Sequence, residues 1–241
     1  MTTPLPDSDL ARVLVVSAHP DDVDFGASGT VATWTDVGVQ VTYCIVTDGQ
    51  AGGFDPSVPR EEIVVVRRKE QREAAAHVGV DDVRFLGYTD GELEPTRALV
   101  GDLSRVIRQV RPQRALIPSP ERDYGRIQRS HPDHLAAGKA ALDAIYPAAR
   151  NPFAFPELLE EGLEPWTVSD TWLMAHPSSN HAVDVTAAFD RKLAAIFSHE
   201  SQHQDPNALL QPLRTAFGAN ARNAGMGEGR LAETFFVLST G

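Results

Sequence analysis

Hydrophobic positions along the first 146 residues fall into short separate runs, and the stretches between them have helical periodicity. Residues 12–18 (Arg-Val-Leu-Val-Val-Ser-Ala) are nearly all aliphatic or β-branched, as in a strand buried on both faces of a parallel sheet. Residues 39–46, 83–86 and 115–118 repeat that pattern. Between them, Val31, Trp34 and Val37 share a helical face that Gly38 ends. Residues 60–78 are charged and helical, with Ala74-Ala75-Ala76 packing near the end and Gly79 as the stop. Residues 95–110 set Leu99, Val100, Leu103, Val106, Ile107 and Val110 on one apolar stripe, and Pro112 terminates it. A further helix opens at His131-Pro132-Asp133-His134 and runs through Leu135, Leu142 and Ile145. Its proline suits a first turn, where the missing N–H has no partner to lose. This alternation predicts an α/β fold: a doubly wound, mostly parallel sheet with helices on both faces.

Regularity falls off beyond residue 146. Residues 147–165 are proline-rich and aperiodic and read as a surface excursion. Residues 166–175, 181–185 and 234–238 are strand candidates, and residues 187–199 a helix. No repeat or linker divides the chain, so residues 1–241 read as one domain, with a motif-bearing part at about 12–146 and an extension at 147–241. Residues 50–59 form a loop of a length that is often functional in compact domains.

Composition narrows the classes. With 42% hydrophobic residues in 241, the chain can bury a sizeable core. Lys plus Arg number 22 against 33 Asp plus Glu, a net charge of −11 that argues against a nucleic-acid partner. Cys44 is the only cysteine, which fits a reducing compartment. Residues 1–10 lack the pattern of a secretory leader, and no apolar run approaches the ~20 residues of a membrane span. The expectation is a cytoplasmic protein with no membrane span.

Against that background Ser17-Ala-His-Pro-Asp-Asp-Val-Asp-Phe-Gly26 stands out, with one imidazole and three carboxylates where the first strand stops. Open α/β sheets bind ligands beyond the carboxyl ends of their strands, and both His19-x-x-Asp22 and His131-x-x-His134 fall there. A spacing of three lets each pair share one ion. Two imidazoles and a carboxylate (His19, Asp22 and His134) leave an open coordination position, as in a catalytic zinc site. Asp21 points elsewhere than Asp22 and is free to take a proton from an activated water. His131, as a cation, could stabilise an oxyanion or protonate a leaving amine. Asp24 and Asp133 are candidates to hydrogen-bond the ligand imidazoles from behind. His77 and His176 read as ordinary histidines. Gly26-x-x-Gly29 is not a phosphate cradle, because acids occupy the turn where phosphate oxygens would lie.

These two motifs, with Thr47-Asp-Gly49, Arg67-x-x-Glu70-x-x-x-Ala74, Val183-Asp-Val-Thr186 and Lys192-x-x-Ala195-x-x-x-His199-x-Ser201-Gln202, resemble the PIG-L/LmbE-like family of zinc-dependent N-deacetylases over roughly residues 12–203. The resemblance implies a Rossmann-like fold and removal of an N-acetyl group from a small glucosamine-containing sugar or glycoside. It also implies His19, Asp22 and His134 as Zn2+ ligands, Asp21 as general base, His131 at the tetrahedral intermediate and Arg67 on substrate. The chain departs from the family at Val23, where many members carry Glu, and at Arg129, where some mycothiol-pathway members carry Tyr. Tyr124, Arg122, Arg126 and Arg129 in the loop before the second motif are therefore candidates to shape a different substrate pocket. Rival readings are an amidase cleaving a larger acyl group from a glucosaminyl thiol conjugate, a two-His-one-carboxylate iron oxygenase and a non-catalytic binding module.

Overall fold

The structure, a computed structural model, describes residues 4–203, 205 and 207–241. In chain order its principal elements are β1 (Arg12–Ser17), α1 (Asp22–Gly26), α2 (Ser28–Asp36), β2 (Gln40–Thr47), α3 (Arg60–His77), β3 (Asp82–Tyr88), α4 (Arg97–Val110) and β4 (Arg114–Pro118). They continue with α5 (Pro132–Asp143), α6 (Pro156–Glu160), β5 (Asp170–Met174), β6 (His181–Asp184), α7 (Phe189–Phe197), α8 (Asn207–Asn223) and β7 (Ala232–Ser239).

One sheet runs β3-β2-β1-β4-β5-β7-β6. Its first five members pair in parallel, and β7 pairs antiparallel with both β5 and β6. The predicted parallel sheet is therefore present, finished by an antiparallel edge. From β1 the chain winds outward through β2 to β3 and then returns to the other side of β1 at β4. That reversal makes the carboxyl ends of β1 and β4 the topological switch point, where doubly wound sheets open a crevice.

Both faces of the sheet are covered, which explains the unbroken apolar runs. Val13 and Val15 pack with Val31 and Trp34 of α2, Ala74 and Ala75 of α3 and Ala195 of α7. Leu14 and Val16, pointing the other way, pack with Leu99, Leu103 and Ile107 of α4 and Ala137, Ala140 and Ala141 of α5. The alanine-rich face of α5 lets it lie close on β4. A Cβ on Gly138 would stand 2.3 Å from the Pro118 carbonyl oxygen, inside any real contact distance. Gly138→Ala should push α5 off the sheet and cost about 1–3 kcal/mol, measured as a lower urea midpoint at unchanged slope.

Two expectations for the C-terminal part are corrected. Residues 147–165 are not only a surface excursion: Phe155 and Leu158, around α6, pack with Ala148 as a small apolar cluster. The 17-residue helix α8 was not foreseen; it docks Phe217 against Phe189 of α7. Among the described residues no helix is long and apolar enough to cross a membrane.

Candidate metal centre

The turn after β1 delivers His19, Asp21 and Asp22 to the switch point, and the N-terminus of α5 delivers His131 and His134. Asp22 Oδ1 lies 2.9 Å from His134 Nε2, and Asp22 Oδ2 lies 3.4 Å from His19 Nδ1. Ligand atoms of all three residues fall within 4.8 Å of one another. Asp22 Oδ2 also accepts the His19 backbone N–H at 2.7 Å, which tightens the turn and aims the carboxylate. His19, His131 and Asp133 form a second possible group. Asp133, however, already accepts N–H groups of Gly91 at 2.7 Å and Leu93 at 3.4 Å, so its oxygens are committed.

Asp133 Oδ2 lies 3.1 Å from His19 Nε2, and Asp90 Oδ1 lies at the same distance from the same nitrogen. With Nε2–H donating to these carboxylates, Nδ1 faces Asp22. Burial opposes a charge on His19, but Asp22 and Asp90 overcome that and raise its pKa to about 11. Three carboxylates converging on one ring make a place for positive charge, and the two-imidazole, one-carboxylate donor set fits a divalent transition metal. Asp133 thus sits behind His19, a candidate ligand. Asp133→Ala should weaken metal binding about 10–100-fold, measured by competition with a chromophoric chelator.

Asp24 is placed differently from the expectation. It is wholly buried, and its Oδ2 lies 2.8 Å from His199 Nε2 while accepting Gln71 Nε2–H at 3.0 Å. It backs His199 and α3 rather than a ligand imidazole. Burial works against a charge on His199, but the hydrogen bond and charge of Asp24 lift its pKa above the ordinary value. Val23 is fully buried in the apolar cluster behind β1, so the side chain at the family's Glu position here serves the core.

Asp21 adopts φ 91°, a left-handed backbone that Asp tolerates better than most residues. Helix α3 holds it there. Gln71 Oε1 accepts the Asp21 N–H at 2.8 Å, and Arg67 Nη2 donates to Pro20 O at 2.6 Å and Asp21 Oδ2 at 3.1 Å. Arg67 Nη1 donates to Gly49 O at 2.8 Å. A Cβ on Gly49 would lie 2.3 Å from that nitrogen, which accounts for the glycine in Thr47-Asp-Gly49. Arg67, expected on substrate, is buried with its fork turned to Asp21 and its turn. Burial pushes the Asp21 carboxyl up to about 6, against the pull of Arg67.

His131 caps α5, its Nδ1 accepting the Asp133 N–H at 3.2 Å, which leaves Nε2–H as the free end of a neutral ring. Its ring centroid is 5.0 Å from His19 and 5.5 Å from His134. Burial and the neighbouring His19 charge lower its pKa.

A cleft of about 390 Å³ opens beside Asp22 and His134 and is walled by Phe25, Met174, Leu213 and Phe217. A second compartment of about 520 Å³ adjoins it, and Arg129, Ala175, Asn220 and Thr234 line both. Of the loop residues expected to shape a pocket, Arg126 and Arg129 do so. Tyr124 does not: it is 86% exposed and lines neither compartment. Asp90 was not foreseen from sequence. It follows β3 in Thr89-Asp-Gly91, the same spelling as Thr47-Asp-Gly49 after β2, and that repetition at two neighbouring strand ends is the signal that could have marked it.

A profile of the PIG-L family, described as GlcNAc-PI de-N-acetylase, matches residues 14–145, a span that includes both motifs. The chain belongs to the PIG-L family. Within it, the chain is 34% identical over 212 residues to the diacetylchitobiose deacetylase of Thermococcus kodakarensis, covering 87% of this chain and 78% of that one. It is 32% identical over 198 residues to the probable N-acetyl-α-D-glucosaminyl L-malate deacetylase 2 of Bacillus cereus, covering 79% and 83%. The fold matches the N,N'-diacetylchitobiose deacetylase of Pyrococcus horikoshii with a TM-score of 0.89 at 33% identity, over 97% of this chain and 85% of that one. Deacetylation is amide hydrolysis, and this PIG-L chain is an amide hydrolase of that kind.

Proposed function

We propose that this protein removes the N-acetyl group from an N-acetylglucosamine-type sugar or glycoside, using a zinc ion held by His19, Asp22 and His134. The observation that carries the reading is the convergence of those three side chains at the switch point, where Asp22 and His134 also line a cleft large enough for a sugar. A divalent ion there would polarise the acetamide carbonyl and lower the pKa of a water towards ~7.

The protein's own residues supply the proton handling and the positioning. Asp21, held by Arg67 and Gln71, accepts a proton from the water as its oxygen bonds to the acyl carbon. The free Nε2–H of His131 faces the oxyanion that develops on the former carbonyl oxygen. Asp21 then returns its proton to the nitrogen as the C–N bond breaks, giving acetate and a free amine. The apolar wall of Phe25, Met174 and Phe217 limits water around the reacting groups. The relatives' named activities on N-acetylglucosaminyl compounds support this substrate class. The test is acetate release from N-acetylglucosamine and N,N'-diacetylchitobiose by zinc-loaded protein. No acetate above the buffer rate from either compound, at one equivalent of bound metal, would end the proposal.

A further inference from the structure

We infer that His199 is a positioning residue for Asp21, which it holds in its left-handed turn through Asp24 and Gln71. The consequence for turnover rests on the deacetylase reading; the chain of hydrogen bonds does not.

Asp21 keeps a backbone at φ 91°, which a non-glycine residue holds only where its surroundings over-determine it. Its carbonyl accepts the N–H groups of Asp24 and Phe25, within the short helix α1. Its own N–H has its acceptor in Gln71 Oε1, at 2.8 Å. The Gln71 amide must therefore present its oxygen, and not its NH2, to Asp21.

That choice is made at the other end of the same amide. Asp24 Oδ2 accepts Gln71 Nε2–H at 3.0 Å, and a carboxylate has no donor that would suit the amide turned over. The same oxygen accepts His199 Nε2–H at 2.8 Å. His199, Asp24 and Gln71 are all fully buried. Among the described residues, the bond to Asp24 is the only one the His199 ring makes, since its Nδ1 has no partner. The polar atoms of that ring serve to fix Asp24.

The segment around His199 grips the same helix. Ser201 donates its N–H to Glu70 Oε1 and its hydroxyl to Glu70 Oε2, both at 2.7 Å. Glu70 precedes Gln71 on α3, so His199-x-Ser201 restrains two successive residues of the helix that reaches the Asp21 turn. Burying these polar groups costs stability that apolar packing would not. Helix α7 shows the alternative just upstream, where Leu193, Ala195 and Ile196 are buried with no polar side-chain atom.

The test is amide hydrogen exchange at Asp21, followed by NMR in the zinc-loaded protein, with the β1 amides as the standard for global opening. His199→Met should speed exchange at Asp21 at least about tenfold relative to β1, the worth of one hydrogen bond to a charged group. His199→Asn, too short to reach Asp24, should do the same, whereas His199→Gln keeps a donor at the Nε2 position and should restore protection. An Asp21 rate that stays at the wild-type value, or rises only in step with β1, would overturn the inference. So would a His199→Gln variant as unprotected as His199→Met. Single-turnover acetate release from N,N'-diacetylchitobiose reads the consequence. His199→Met should lower kcat about tenfold with KM and metal content unchanged, and should cost nothing further when Asp21 is already Asn. An unchanged kcat, or an equal loss in both backgrounds, would show that His199 does not act through Asp21. A wild-type protein that releases no acetate counts against the deacetylase reading alone, because exchange at Asp21 decides the inference without turnover.

Discussion

Asp21→Asn should retain one equivalent of metal and lose about 10²–10⁴-fold in kcat, the usual contribution of a general base. The substitution is a clean one for physical reasons. Asn adopts the left-handed backbone about as readily as Asp, so the φ of 91° survives. The Gln71 contact is to the Asp21 backbone N–H, and Arg67 keeps the carbonyls of Pro20 and Gly49 as acceptors. What is lost is a basic oxygen able to accept and return a proton. Metal content by atomic absorption together with single-turnover acetate release separates the two effects. A variant that hydrolyses at the wild-type rate would remove Asp21 from the chemistry, and one that loses its metal would make it a scaffold for Asp22.

Lys192→Met should destabilise the fold severely, by about 3–5 kcal/mol. Lys192 and Glu233 are both completely buried, with Nζ donating to Glu233 Oε1 at 2.7 Å. Nζ also donates to the carbonyls of Asp24 and Phe25 at 2.7 and 2.8 Å, near the end of the short helix that begins at Asp22. Glu233 accepts the N–H groups of Gly29 and Thr30 at 3.0 and 2.7 Å, pinning the start of α2. Removing the lysine leaves a carboxylate without its counter-charge in the core and takes a donor from the Asp24 and Phe25 carbonyls. Adding Glu233→Gln should recover part of the loss, since the amide oxygen still accepts from α2. Urea unfolding of the two variants reads this directly. A loss below about 1 kcal/mol, the worth of an exposed pair, would mean that the site relaxes enough to hydrate.

The elements that sequence made legible are those whose pattern is local. Both-faced burial of β1 leaves an unbroken apolar run, and the stripe on α4 repeats at helical spacing; each is written within a few residues. His19-x-x-Asp22 and His131-x-x-His134 are legible for the same reason, since each pair spans one turn. Asp90 and Asp24 depend on partners far along the chain, and the local cue for Asp90 is only that Thr89-Asp-Gly91 repeats Thr47-Asp-Gly49. Arg67 and Gln71 sit on a helix whose charge suggests a solvated face, yet that face closes over the turn carrying Asp21. Helix α8 was hidden by Pro212 within it and by an apolar stripe that buries only Phe217 and Ala221 fully.

The finishing strands at the antiparallel edge carry a consequence for how such an enzyme can change. Every proposed ligand and proton carrier lies within residues 14–145, whereas Met174, Leu213, Phe217, Asn220 and Thr234, on the cleft wall, lie beyond it. That part of the wall, unlike Phe25 and Arg129, is inherited on a stretch of chain that holds none of the proposed ligands, so substitutions there can retune what enters the cleft without touching them.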